Sequence, residues 1–150
     1  MEGKKPLKEA ILASGHGNVT ARHRTTFEIT KEDNLTPQGD CIIAVSADRG
    51  FSEFSSEFKE ALKDEKTRLD ISIECCGLKE KITAYGHPAL TFENPHEMVV
   101  RKSGYVCART LAIRADKASC DFDRSLVKKL GGGNPVTIEL RINRAEDAKI

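Results

Sequence analysis

Two histidines and two aspartates stand at matching places in the chain. His16 follows Gly15 in Ala13-Ser14-Gly15-His16, and His87 follows Gly86 in Ala84-Tyr85-Gly86-His87. Asp48 ends Ala44-Val45-Ser46-Ala47-Asp48, and Asp116 ends Ala112-Ile113-Arg114-Ala115-Asp116. Imidazole and carboxylate are the groups of acid–base pairs and of divalent-metal sites. Arg109 and Arg114 flank the otherwise apolar Thr110-Leu111-Ala112-Ile113, where a guanidinium is costly unless exposed or paired with an anion. His16, His87, Asp48, Asp116, Arg109 and Arg114 are therefore the candidate residues for holding an anionic ligand. A plainer account competes with this one. Each Gly-His can be a tight turn whose imidazole bonds local backbone, and each Ala-Asp can cap the next helix or turn. The aspartates favour that account, and the histidines fit both.

The cysteines offer less. Cys41, Cys75, Cys76, Cys107 and Cys120 contain no CxxC pair and no zinc-type spacing with histidine, so no metal site is expected. They read as small, partly buried residues of a reducing compartment. No motif identifies a cofactor or decides whether the chain is an enzyme.

The stretches carrying these residues recur as a whole. An offset of 68 carries Asp48 onto Asp116, Phe54 onto Phe122, Phe58 onto Leu126 and Leu62 onto Leu130. An offset of 69 carries Leu69-Asp70-Ile71 onto Ile138-Glu139-Leu140, and one of 71 carries Gly15-His16 onto Gly86-His87. Order, spacing and apolar pattern persist together, which is how an internal repeat reads. Alternation predicts strands over 7–13, 22–31, 41–47 and 68–76, then over 79–85, 98–102, 106–115 and 136–143. Phe51, Phe54, Phe58, Ala61 and Leu62 form one stripe of a helix running to about Lys63 to Lys66. Its counterpart covers about Asp121 to Leu130, capped by Asp121 or Asp123 and ended by a left-handed Gly131. Arg144 to Ile150 reads as a frayed tail.

Each copy is thus strand-strand-strand-helix-strand. With eight strands and two helices, the expected fold is α+β and mainly β: a pseudo-twofold barrel, or a curved pair of sheets with two helices. Residues 1–150 suit one domain made of copies at about 12–76 and 83–143. Hydrophobic content of 39% beside 31% charged residues is that of a water-soluble globule, and a net charge of +1 argues against a dedicated nucleic-acid binder. Apolar runs are strand length, so no membrane partner is expected, and the expected location is cytoplasmic.

The strings ASGHGNVTARHRTTFEITKEDNLTPQGDCI, AYGHPALTF and MVVRKSGYVCARTLAIRADKAS resemble the small, mainly archaeal domain-of-unknown-function family numbered three-seven-one. The resemblance runs from about Ala10 to Leu130. It implies a cytosolic archaeal protein of one domain, and it supplies no activity, cofactor, partner or catalytic residue.

Two functional readings result. The first is a small-molecule site for an anion, enzymatic or not, at the seam of the two copies. The second is a non-catalytic module that binds RNA or protein through a basic face of Arg22, Arg24, Arg101 and Lys102. With no tryptophan and 5% aromatic residues, a base-stacking platform is poorly supplied. A homodimer is compatible with both.

Overall fold

The computed structural model describes residues 7–144. Met1 to Lys5 and most of the expected C-terminal tail lie outside the described residues. Eight strands occur in the order β1 (Lys8–Ser14), β2 (Thr26–Thr30), β3 (Ile42–Ala44), β4 (Arg68–Cys75), β5 (Leu78–Tyr85), β6 (Glu97–Arg101), β7 (Thr110–Ala112) and β8 (Pro135–Asn143). Helix α1 (Ser56–Ala61) precedes β4 and helix α2 (Arg124–Gly131) precedes β8, each preceded by a three-residue 3-10 turn. The order strand-strand-strand-helix-strand therefore occurs twice.

The strands form two four-stranded sheets. One runs β1-β8-β4-β5 and is antiparallel throughout. The other runs β3-β2-β6-β7, with an antiparallel centre and a parallel pair on each side. In the first sheet Ile11, Ile71, Ile73, Ile82, Ile138 and Leu140 point inward while alternate residues face solvent, as period-two burial requires. The second sheet is buried on both faces: every residue of β2 is buried, including Thr26, Glu28 and Thr30. Its inner residues Phe27, Ile29 and Val100 join those of the first sheet in one apolar core.

The pair does not close into a barrel, which corrects that half of the expectation. Among the described residues the sheets meet through isolated bridges, Ser14 with Val45 and Tyr85 with Ile113. The physical cause lies one residue further on, where Ser46 (φ 55°) and Arg114 (φ 52°) adopt the left-handed conformation and turn the chain out of the ladder. These turns end the expected strands 41–47 and 106–115 early, and because Cys41 and Ala108–Arg109 are turn residues, β3 and β7 are three residues each.

The expected helix from Phe51 is also interrupted. Phe51–Glu53 is a 3-10 turn, Phe54 is extended, and α1 begins after Ser55, whose hydroxyl accepts the Phe58 N–H at 3.1 Å. In the second half Ser119–Asp121 is the 3-10 turn, and Asp123 rather than Asp121 caps the helix, accepting from Ser125 N at 2.8 Å. Gly131 is the last residue of α2, and Gly133 takes the positive φ of 74°. Phe51, Phe54, Phe58 and Leu62 are buried as the stripe required, with Phe54 and Phe58 ring centroids 5.5 Å apart.

Candidate functional site

The matched aspartates are edge seals. Asp48 Oδ1 accepts the Leu12 N–H at 2.9 Å while Asp48 N donates to Leu12 O at 2.9 Å. Asp116 makes the same pair of bonds to Thr83, again at 2.9 Å each. β1 and β5 are the outer strands of the first sheet, so these contacts satisfy backbone groups that would otherwise invite another strand. The cations next to the aspartates are engaged as well. Arg49 pairs with the buried Glu9 at 2.6 Å and Lys117 with the buried Glu80. Glu9 then accepts Ser55 N at 2.8 Å and Glu80 accepts Asp123 N at 2.9 Å, tying each helix start to a strand.

The Gly-His pairs close helices. His16 N donates to Leu130 O at the end of α2, and His87 N donates to Leu62 O at the end of α1, both at 2.9 Å. A Cβ on Gly15 would stand 2.0 Å from Leu130 O, and one on Gly86 2.1 Å from Leu62 O, so only glycine admits this approach. Each imidazole Nδ1 accepts a backbone N–H two residues on, from Asn18 and from Ala89, both at 3.0 Å. Local turn chemistry thus explains both histidines. Arg114 is spent on Glu65 O (2.9 Å) and on the Tyr85 ring, 5.0 Å from its centroid. Among the described residues no hydrogen bond joins any two of the six candidates.

Arg109 alone of the six bonds into a different cluster, on the outer face of the second sheet where β2 meets β6. Its Nη1 holds Glu97 Oε1 at 2.8 Å, and 46% of its side chain stays exposed. Beside this pair lies Glu28, only 4% exposed, whose Oε1 accepts from Cys41 Sγ at 3.6 Å. Burial, and secondarily the Glu97 carboxylate, push the Glu28 carboxyl up to about 7 against the pull of Arg109. Burial likewise pushes the Cys41 thiol up to about 11, helped by Glu28. Across the seam the buried Arg101 donates from Nε to Thr110 Oγ1 at 3.0 Å and from Nη2 to Cys107 Sγ at 3.3 Å. The Tyr105 ring covers its guanidinium, 4.9 Å away. Burial opposes ionisation of Cys107, but the Arg109 N–H, the Thr110 hydroxyl and Arg101 outweigh it and hold this thiol below its ordinary range.

Glu28, Cys41 and Cys107 escape sequence reasoning as site residues. Alternation puts Glu28 on the outer face of its strand, but nothing in the sequence says that this face is covered. The anion that a strand-flanking Arg109 calls for is supplied by Glu97.

These features define a small α+β protein, mainly sheet, with a mixed-charge polar cluster at the pairing of its two halves. The chain belongs to the family described as Domain of unknown function (DUF371), whose profile matches residues 11–143. It is 48% identical over 130 residues to the uncharacterized protein MJ0206 of Methanocaldococcus jannaschii, an alignment covering 87% of this chain and 96% of that one. No helix among the described residues is long and apolar enough to cross a membrane.

Proposed function

We propose that the chain binds a small anion, a carboxylate or phosphate ester, at the β2–β6 seam, with Arg109 as docking cation and Glu28 as a proton-bearing neighbour. The supporting observation is the pairing of an exposed guanidinium, engaged to Glu97 through one terminal nitrogen, with a buried carboxyl that loses its charge just below neutral pH. With Glu28 ionised, Glu28 and Glu97 balance Arg101 and Arg109. Protonating Glu28 leaves the cluster with a net positive charge, so an anion is held more tightly on the acid side. A guanidinium suits a bidentate oxyanion, where an ammonium offers a point charge.

Calorimetric titration of inorganic phosphate and of small dicarboxylates at pH 6 and pH 8 tests this. The expected outcome is binding at pH 6, weaker binding at pH 8, and at least a tenfold loss in Arg109→Lys. Absence of heat at both pH values, or equal binding by the variant, refutes it. The basic-face reading keeps Arg22 and Arg24, which are both exposed, but Arg101 is 9% exposed and bonded inward, and Lys102 pairs with Asp121 at 2.8 Å.

We also infer that the chain is an internal duplication over about 12–76 and 83–143. Support comes from the equivalent Asp48 and Asp116 seals, the equivalent Gly15 and Gly86 approaches, and sheet orders that read the same when the halves are exchanged.

A further inference from the structure

The solvent face of the first sheet carries a recess of about 310 Å³ that shares no residue with the seam. Its cause is a short side chain among long ones. Ser72 of β4 pairs with Glu139 of β8 on one side and with Lys81 of β5 on the other, and the next row places Asp70 between Arg141 and Thr83. Neighbours on this face stand roughly 5 Å apart across strands and roughly 7 Å apart along them. The Ser72 hydroxyl therefore leaves a floor, which Arg141, Glu139, Lys79 and Lys81 rim. The repeat-matched positions of Ser72 and Lys81 hold Arg141 and Ala10, so the other half has neither this floor nor this rim.

The rim does not neutralise itself. Asp70 is taken by the Arg68 guanidinium, Nε to Oδ1 at 3.1 Å and Nη2 to Oδ2 at 3.2 Å, and it also accepts from Asn143. Among the described residues no hydrogen bond or ion pair engages the side chains of Lys79, Lys81, Arg141 or Glu139. Three cations and one carboxylate thus leave two positive charges around a hydroxyl floor. We propose that this recess binds a phosphate monoester of a polyhydroxy compound, that is, a sugar phosphate. A monoester carries a charge of roughly −1.5 to −2 at neutral pH and three acceptor oxygens, which the Arg141 fork and the two ammonium groups match. Glu139 sets the rest of the ligand. An ionised carboxylate only accepts hydrogen bonds, so it repels a bare oxyanion and calls for donors beside the phosphate. Sugar hydroxyls are such donors, and Ser72 and Thr83 can exchange further hydrogen bonds with them, whereas a ligand ammonium would face Lys81 and Arg141. The volume lies at the small end of ligand pockets, about 300 to 1,000 Å³, which suits one sugar phosphate rather than a dinucleotide.

The test is titration of ribose 5-phosphate, inorganic phosphate and ribose into the nitrogen-15-labelled full chain, followed by amide chemical shifts. Amides of Ser72, Lys81 and Arg141 report the recess and those of Glu28 and Val99 report the seam, so binding at one site is read apart from the other. Ribose 5-phosphate should saturate the recess shifts and bind there about tenfold or more tightly than inorganic phosphate, and ribose should shift nothing. Arg141→Gln and Lys81→Gln, both on the solvent face, should each weaken binding at the recess by about tenfold. Glu139→Ala should tighten inorganic phosphate and shrink the preference for the sugar phosphate to about threefold or less. Recess shifts that do not saturate, equal affinity for ribose 5-phosphate and inorganic phosphate, unchanged affinity in both cation variants, or a preference that survives Glu139→Ala overturns the proposal.

Discussion

Replacing Glu28 by glutamine should make the protein more stable at pH 8 while changing it little at pH 5. The native carboxyl titrates near 7, and the same group in an unfolded chain titrates at 4.5. Between those values the native state holds a proton that the unfolded state has lost, so wild-type stability falls as pH rises from about 4.5 to about 7 and is level above that window. The interval, at about 1.4 kcal/mol per pH unit, is worth roughly 3 kcal/mol. Glutamine has the shape of the protonated acid and its carbonyl still accepts from Cys41, so the variant lacks this slope without leaving a hole. For a chain of 150 residues the difference corresponds to a shift of roughly 6 to 12 °C in melting temperature at pH 8. Urea denaturation of both proteins at pH 5, 6, 7 and 8 is the assay. If wild type and Glu28→Gln lose stability in parallel across this range, the carboxyl does not carry an uncompensated burial penalty.

Two backbone contacts give further expectations. Gly86→Ala should cost at least about 2 kcal/mol in chemical denaturation, because the new methyl lies 2.1 Å from Leu62 O and the helix end must move; a loss below about 0.5 kcal/mol would refute the close approach. Asp48→Ala should cost about 1 kcal/mol and raise the exchange rate of the Leu12 amide roughly tenfold; unchanged exchange would mean that the seal is not formed.

Where side chains and backbone interact locally, the sequence was a good guide. Alternation in Leu69-Asp70-Ile71-Ser72-Ile73 found a strand with one wet face, and the phenylalanine stripe found residues that are buried. The stripe misjudged continuity, because Phe54 reaches the core from an extended residue and Ser55 restarts the helix, an outcome that 3.6-residue spacing does not distinguish from one helix. The Gly-His and Ala-Asp elements were visible as repeats but not as devices. Their partners, Leu130 for His16 and Leu12 for Asp48, are distant in the chain, and only pairing of the strands brings them near. The seam was hidden for a related reason. Cys41, Glu28, Glu97 and Arg109 meet because β2 and β6 lie side by side, a strand order that composition and periodicity leave open.

That strand order also bears on how the chain is made. β8 occupies the place between β1 and β4, so the first sheet is missing an interior member until residues 135–143 leave the ribosome. Until then the flanks of β1 and β4 that β8 will fill stay unpaired, although β3, β4 and β5, on which α2 packs, are already present. Non-local pairing of this kind folds slowly and exposes strand edges to other chains. Synthesis halted shortly before Pro135 leaves a nascent chain with two adhesive edges, and insertion of one nine-residue strand, alternately apolar from Val136 to Ile142, closes both at once.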